Sequence, residues 1–180
     1  MEGFRKPFSK TDNAMFDAPA RDACKKFFPE SSGIKVVDHK STYAMDLCLN
    51  NSDGLIRYIE TETKADPRWN SPKFPFSDLN FLGRKVEHLL NRDLDYSEKG
   101  LWVLWNYNYT QHAVVTLKEV LQVYNDRVTK FGKGNALVAW NNRVQRDQQG
   151  NAKKPEYFLK LPLDMVHWGG LASVLKRYGK

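Results

Sequence analysis

The sequence TYAMDLCLNNSDGLIRYIETETK, residues 42–64, predicts two β-strands joined by a tight turn. The first strand covers about residues 42–50, which are rich in aliphatic and β-forming side chains. Residues 50–54 have the composition of a hairpin turn, because Asp-Gly readily adopts the positive φ angles that such a turn needs. The second strand covers about residues 55–64, so the two strands are expected to pair antiparallel.

The acidic residues of this stretch fall on positions that a sheet would bury. Side chains alternate between the faces of a strand, so Glu60, Glu62 and Lys64 share one face. Asp46 lies in the first strand, where apolar residues occur on both faces, and it is expected to be at least partly buried. Carboxylates removed from water need a cation or take up protons. A hard divalent ion such as Mg²⁺, which takes oxygen ligands, is the expected partner.

Asp46 followed by Glu62-Thr63-Lys64 resembles the signature of the PD-(D/E)xK nuclease superfamily. The resemblance implies a restriction-endonuclease-like α/β fold with a mixed central β-sheet flanked by helices. It also implies a Mg²⁺-dependent endonuclease, with Mn²⁺ as a substitute, that hydrolyses phosphodiester bonds in nucleic acid. DNA is favoured as the substrate, and RNA stays open. Asp46 and Glu62 would hold the metal together with the Thr63 carbonyl, and Lys64 would position or activate the attacking water or hold a phosphate oxygen.

Two features of the motif depart from the family pattern. Met45 precedes Asp46 where the family name specifies proline. Glu60 adds a second glutamate, which leaves open whether Glu60 or Glu62 is the ligand; Glu60 would otherwise bind a second ion or orient Lys64. The alternative interpretation of the whole stretch is a surface hairpin with solvated charges.

Family members often add a carboxylate from a helix that precedes the first strand. Apolar residues at helical spacing predict such a helix, ending near residue 28, with Pro19 in its first turn. Asp17 is the first candidate for the additional acid and Glu30 the second. The simpler interpretation is that Asp17 only caps the helix.

Residues 65–83 contain three prolines, which argues against regular structure there. Arg68, Trp69 and Lys73 combine cations with an aromatic ring, a composition that suits a loop contacting nucleic acid. The alternative is that Trp69 and the neighbouring aromatic residues are buried under the loop. The run Phe74-Pro75-Phe76 followed by Arg84-Lys85 resembles a pattern in some phage-type members of the superfamily. The resemblance implies that Arg84 and Lys85 lie near the cleft as candidate phosphate ligands.

The length of 180 residues and a hydrophobic fraction of 41% predict a single nuclease-like domain, residues 1–180, with a proper core. Cys24 and Cys48 lie in apolar patterns and are expected to be reduced and buried. The sequence shows no long apolar stretch and no signal peptide, so an intracellular, cytoplasmic protein without a membrane partner is expected.

The net charge of +7 is concentrated in the last third of the chain. Residues 118–180 carry twelve Lys and Arg against five acidic residues, whereas residues 1–117 are balanced. Such a basic region commonly contacts phosphates, although solubility alone also explains it.

The rest of the sequence predicts further strands and helices, which together give an α/β protein. Strands are expected at residues 34–37, 101–106, 112–116, 136–140 and 156–161. Helices are expected at 117–127, with Thr116 and Glu119 forming a capping box, and at 164–178.

Two rival functions remain open at this point. One is a non-catalytic nucleic-acid-binding module of the same fold. The other is a basic phage-type factor that captures a host protein. If the chain cuts both strands of a duplex, a homodimer with two active sites is the expected assembly.

Overall fold

The computed structural model describes residues 13–27, 34–40, 45–50, 56–64, 66–70, 73–91, 94–139 and 155–178. Within these ranges the helices are α1 (Ala18–Phe27), α2 (Gly83–Leu90), α3 (Leu94–Lys99), α4 (Leu117–Phe131) and α5 (Leu171–Tyr178). The strands are β1 (Lys35–Asp38), β2 (Leu47–Asn50), β3 (Tyr58–Lys64), β4 (Leu79–Leu82), β5 (Gly100–Asn106), β6 (His112–Thr116), β7 (Val138–Ala139), β8 (Tyr157–Leu161) and β9 (His167–Trp168). A π-helical turn at Asn13–Asp17 leads into α1.

The larger sheet has the strand order β1-β2-β3-β5-β6-β9. β3 and β5 pair in parallel, whereas the other neighbouring strands pair antiparallel. The chain passes through β4, α2 and α3 between the two parallel strands. The sheet is therefore mixed, which confirms the predicted α/β class.

The interior of the larger sheet is buried on both faces. All seven residues of β5 are buried, as are all five of β6. Alternate residues of β5 enter different apolar cores: Leu101, Val103 and Trp105 pack on one side, and Trp102 and Leu104 on the other. A sheet covered twice explains why these strands are nearly continuous apolar runs.

Helices cover both faces. On one face α1 contributes Ala20 and Cys24, and α5 contributes Leu171 and Val174. On the other face lie α2 and α4, together with a second sheet of order β4-β8-β7. The site described below lies on this second face, between the larger sheet and α2.

The capping box predicted at the start of α4 is confirmed. The Thr116 hydroxyl accepts a hydrogen bond from the Glu119 N–H at 3.1 Å, and the Glu119 carboxylate accepts one from the Thr116 N–H at 2.9 Å. These reciprocal bonds satisfy two amides that a helix N-terminus leaves unpaired.

The predicted hairpin is shorter than expected. β2 and β3 pair antiparallel through Leu47–Ile59 and Cys48–Tyr58, but β2 begins only at Leu47. Met45 and Ile56 lie just outside the strands and pack in cores opposite to those that strict alternation predicts. The turn predicted at residues 50–54 falls largely outside the described residues.

Three further predictions need correction. The proline-rich segment 65–83 contains β4, whose Leu79 and Phe81 are buried. The strand predicted at 136–140 is reduced to β7. The helix predicted at 164–178 begins only at Leu171, because Gly169, with φ 59°, turns the chain after β9.

Both cysteines are free thiols, and Cys24 is fully buried. Trp105 Nε1 donates to Cys24 Sγ at 3.3 Å, and Cys24 donates to Thr61 Oγ1 at 3.5 Å. These contacts fasten α1 to β3 and β5 beneath the site. Cys48 is half-buried in β2, so full burial was predicted correctly only for Cys24. No helix in the described part of the chain has the length and apolarity that a membrane crossing requires.

Candidate active site

β3 carries the two glutamates of the candidate site on one face. Glu60 and Glu62 lie beside Trp102 and Leu104 of β5 in the parallel register. The intervening Thr61 points to the opposite face, towards Cys24. Both glutamate side chains are largely buried, with exposed fractions of 15% and 20%. Strand alternation therefore places two carboxylates side by side in an environment that disfavours charge.

Asp46 lies at a bend immediately before β2, next to the glutamates. Its Oδ2 accepts a hydrogen bond from the Thr61 N–H at 2.8 Å. Its carbonyl accepts one from the His39 N–H at 3.0 Å, which holds the bend. The Arg21 guanidinium of α1 lies 4.0 Å from Asp46 Oδ1 and 3.6 Å from an oxygen of Asp38. The predicted partial burial of Asp46 is confirmed, since its side chain is 26% exposed.

Lys85 of α2 is the cation that contacts both glutamates. Its ammonium donates a hydrogen bond to Glu60 Oε1. It also forms an ion pair with Glu62 Oε1, a buried oxygen that has no hydrogen-bond partner among the described residues. The Lys85 side chain is only 20% exposed. We call Asp46, Glu60, Glu62 and Lys85 the carboxylate cluster.

The position of Lys85 depends on how closely α2 approaches its neighbours. Phe81 at the end of β4 packs edge-on against Trp102, with ring centroids 4.9 Å apart. α2 then begins at Gly83, where a Cβ atom would lie 2.8 Å from the Tyr157 carbonyl oxygen and 2.9 Å from Leu137 Cδ1. The absence of a side chain at Gly83 therefore allows the first turn of α2 to lie against β8.

The charges of the cluster do not balance, since three acids face one lysine. Burial, reinforced by the charge of Asp46, raises the pKa of Glu60 to about 8, although Lys85 opposes the shift. Burial also raises the pKa of Asp46, against the effects of Lys85, the Thr61 amide and Arg21. Burial alone would lower the pKa of Lys85, but the charges of Glu60, Glu62 and Asp46 outweigh it and raise that pKa. If every group were ionised, the cluster would carry more negative charge than Lys85 neutralises, and the uptake of protons by its acids relieves this excess.

The carboxylate oxygens of the cluster are chemically suited to bind a hard divalent ion. Carboxylate oxygens are the ligands that Mg²⁺ and Mn²⁺ prefer, and the cluster has a formal surplus of two negative charges. In the described part of the chain, however, no three acidic, histidine or cysteine side chains are already grouped to hold a metal. A metal ion would have to compete with Lys85 for the oxygens of Glu60 and Glu62.

Lys64, predicted to work beside Glu62, lines a cavity of about 470 Å³ at the end of β3. Its Nζ lies 4.5 Å from the centroid of the Phe76 ring. Burial lowers the pKa of Lys64, and the nearby charge of Asp66 only partly offsets this effect. The charge of Glu62 affects this pKa only as a minor contribution. We call this space, which is also lined by Arg68, Asp66, Asp78 and Lys160, the Lys64 cavity.

Two other residues of the predicted metal site have neighbours on the α1 side. The Thr63 hydroxyl donates to the Phe16 carbonyl at 3.1 Å and lies 3.2 Å from the Tyr109 hydroxyl. Asp17 ends the π-helical turn before α1, and its charge raises the pKa of Asp46 only as a minor contribution. Glu30, the second candidate for the additional acid, lies outside the described residues.

The residues predicted to bind nucleic acid lie in different environments. Trp69 is 1% exposed and packs edge-on against Phe74, which favours the alternative that the aromatic residues of this loop are buried. Arg68 and Lys73 are exposed. Arg84 is also exposed, 3.9 Å from a carboxylate oxygen of Glu156. Of the basic last third, residues 140–154 lie outside the described residues.

Lys85 was predicted to lie near the cleft as a phosphate ligand, but its pairing with the carboxylates was not predicted, and Arg21 was not identified as a site residue. Lys85 reaches Glu60 only after the chain has passed through β4, so no short-range pattern identifies this contact. For Arg21 a signal exists, because it follows Asp17 by four residues in a helical pattern and lies next to Ala20 of the core stripe.

No protein-family model matches the sequence, and comparisons with curated proteins and with solved structures find no significant match. The functional assignment therefore depends on the residues and geometry of the chain itself.

Proposed function

We propose that this chain is a metal-dependent endonuclease with a restriction-endonuclease-like, PD-(D/E)xK type of site. The observation that carries the proposal is the carboxylate cluster, in which Lys85 pairs with Glu60 and Glu62 on one face of β3 and the Thr61 N–H holds Asp46 nearby. Buried acids in excess of their cation are costly to the fold, and strongly perturbed ionisable groups often mark functional sites.

Mg²⁺, with Mn²⁺ as a substitute, is the proposed cofactor. Asp46 and Glu62 would hold it, with Glu60 as an alternative or additional ligand and the Thr63 carbonyl as a further oxygen. When bound, such an ion supplies positive charge to a phosphoryl oxygen and makes its water more acidic.

The residues of the chain have separate tasks in this proposal. The Thr61 N–H fixes the orientation of the Asp46 carboxylate, and Arg21 adds positive charge on its other side. Lys85 holds Glu60 and Glu62 together, and its ammonium would be available to the phosphate if the glutamates bound a metal ion instead. We therefore assign to Lys85 the role beside the glutamates that the motif gives to Lys64.

Nucleic acid, with DNA favoured over RNA, is the proposed substrate. The surplus of cations in residues 118–180 supports binding to a polyanion. Cleavage of both strands of a duplex would be served by a homodimer.

The test is cleavage of supercoiled plasmid, linear single-stranded DNA and RNA in Mg²⁺ or Mn²⁺, with EDTA as the metal-free control. We expect metal-dependent products from the wild type and their loss by a factor of about 100 or more in Glu62→Gln, because a metal ligand is removed. The exposed Glu98→Gln is the matched control and should cleave like the wild type.

A comparison of Lys85→Met with Lys64→Met distinguishes the roles of the two lysines in cleavage. We expect Lys85→Met to abolish cleavage, whereas Lys64→Met should cleave more slowly but measurably. Equal activity of the wild type and Glu62→Gln would refute the proposed site, and cleavage in EDTA would refute the metal requirement.

One observation favours a second candidate, a nucleic-acid-binding module that does not cut. Lys85 already pairs with both glutamates, and no ready-made group of metal ligands exists in the described ranges. This candidate predicts binding to the same nucleic acids that is insensitive to EDTA, and no products at any metal concentration.

A further inference from the structure

The Lys64 cavity lies directly beyond the carboxylate cluster along β3. Its volume of about 470 Å³ is within the range of sites that hold small ligands. The end of β3, the segment that follows it and the segment before β4 form much of its wall, and Lys160 of β8 lies on another side. The cavity is thus assembled from parts of the chain that are far apart in sequence.

The cations of the cavity outnumber its acids. Asp66 accepts two hydrogen bonds from the Arg68 guanidinium, at 2.9 and 2.6 Å, and Asp78 pairs with Lys160 at 3.2 Å. Lys64 has no carboxylate within ion-pair distance among the described residues, and its ammonium lies against the Phe76 ring. The unbalanced positive charge of the cavity is therefore carried by a half-buried lysine.

Further hydrogen-bond donors surround this charge. Arg68 uses Nε and Nη2 to bind Asp66, which leaves the N–H groups of Nη1 for another acceptor. Phe76 is flanked by Lys64 and by Arg68, whose Cζ lies 4.8 Å from the ring centroid. Cations at the ring favour an anionic group over a stacked base as the occupant of the cavity.

The spacing along β3 connects the cavity to the proposed chemistry. Lys64 follows Glu62 by two residues, which is about 6.6 Å along a strand, and both side chains lie on the same face. A strand of nucleic acid bound at the carboxylate cluster would bring a neighbouring phosphate towards Lys64.

We infer that the Lys64 cavity binds a phosphate group of the nucleic-acid strand, next to the phosphate that would be cleaved at the carboxylate cluster. The identity of the strand as substrate rests on the proposed function, but the binding of phosphate does not. The group is either a phosphodiester within the strand or a phosphate monoester at its end.

The test measures binding without metal, so that it is independent of cleavage. Fluorescence anisotropy would follow a labelled single-stranded oligonucleotide of about ten nucleotides, with and without a 5′-phosphate, at several salt concentrations in EDTA. Wild type, Lys64→Met, Lys160→Met and the exposed Lys35→Met would be compared after urea unfolding has shown that each is folded. Competition with inorganic phosphate and with an acidic peptide would complete the series.

Loss of one phosphate contact should weaken binding by Lys64→Met and reduce the slope of log K against log salt by about 0.7. Lys160→Met should show a smaller loss, and Lys35→Met none. A loss confined to the 5′-phosphorylated oligonucleotide identifies a terminal monoester, and an equal loss with both oligonucleotides identifies an internal phosphodiester.

Affinities of Lys64→Met and Lys35→Met that are indistinguishable would overturn the inference, as would Lys64-dependent binding of the acidic peptide alone. Phosphate binding that depends on Lys64 in a protein that never cleaves would refute the nuclease and leave the cavity assignment intact. If the protein cleaves nucleic acid but its binding does not depend on Lys64, the cavity assignment is refuted and the nuclease proposal is kept.

Discussion

The carboxylate cluster and the Lys64 cavity lie along the same face of β3 and carry opposite surpluses of charge. The cluster has three acids for one lysine and is largely buried, whereas the cavity has three cations for two acids and is open to solvent. Removal from water makes Asp46 and Glu60 hold protons at higher pH, while solvent screens the charges of the cavity. Charged side chains therefore affect the stability of the fold in the carboxylate cluster, whereas in the Lys64 cavity they are available to bind a ligand.

The largest expected effect is that of removing the cation from the buried region. Lys85→Met should lower the free energy of unfolding by about 3–5 kcal/mol at pH 8 in EDTA, because buried carboxylates lose their partner. The loss should shrink at pH 5, where Glu60 holds a proton in both proteins. Urea unfolding at the two pH values measures it, with Lys118→Met of the exposed Lys118–Glu98 pair as the control. Equal losses of unfolding free energy in Lys85→Met and Lys118→Met would show that the buried cation stabilises the fold no more than the exposed one.

The next effect concerns the proton on Glu60. The folded pKa of about 8 lies above the unfolded value, so between about pH 4.5 and 8 the folded state holds a proton that the unfolded state has lost. Glu60 therefore makes the free energy of unfolding fall as pH rises through this window, by up to about 1.4 kcal/mol per pH unit. Glu60→Gln should flatten that decline, as measured by urea unfolding in EDTA, and Glu98→Gln should not. Parallel curves for the wild type and Glu60→Gln would show that Glu60 ionises normally.

A smaller effect is expected from moving α2 without changing any charge. Gly83→Ala places a Cβ against the Tyr157 carbonyl and should cost about 1–3 kcal/mol of unfolding free energy. Because Lys85 lies two residues further along the same turn, cleavage should fall as well. The matched control is Gly134→Ala, where an added Cβ meets no atom within 4 Å. If Gly83→Ala behaved like this control, the close approach of α2 to β8 would not be what positions Lys85.

The smallest effect is expected in the open region. Lys64→Met should change the free energy of unfolding at pH 7 by no more than about 0.5 kcal/mol, because no carboxylate of the described residues lies within ion-pair distance of this lysine. Burial lowers the pKa of Lys64, which means that the fold does not favour its charged form. Urea unfolding beside Lys85→Met measures the contrast directly. A loss as large as that of Lys85→Met would make Lys64 a structural counter-ion as well.

Local patterns predicted much of the fold. The apolar runs of β5 and β6, the helical spacing of α1 and the capping box of Thr116 and Glu119 each depend on residues close together in sequence. The alternation in β3 correctly placed Glu60 and Glu62 on one face because a strand has a fixed period of two. These features are decided within a few residues, so they can be inferred without knowledge of the rest of the chain.

Features that depend on long-range packing were not predicted. β4 lies in a proline-rich segment and becomes a strand by pairing with β8, about 80 residues later. Lys85 contacts Glu60 because the second sheet brings α2 over β3, and the same sheet brings Lys160 to the Lys64 cavity. The candidate acids and several of the cations could therefore be found from the sequence, whereas the contact of Lys85 with the glutamates and the position of Lys160 in the cavity could not.

The hydrogen bond from the Thr61 N–H to Asp46 has a consequence for spectroscopy. Because β2 begins only after Asp46, a side-chain oxygen occupies the place where a neighbouring strand would supply a carbonyl. The resonance of this amide proton should shift when Asp46 gains or loses a proton or binds an ion, and its exchange with deuterium should slow when the carboxylate is held in place. Thr61 is thus an internal NMR probe of the charge on Asp46 that needs neither a substrate nor a label at the site.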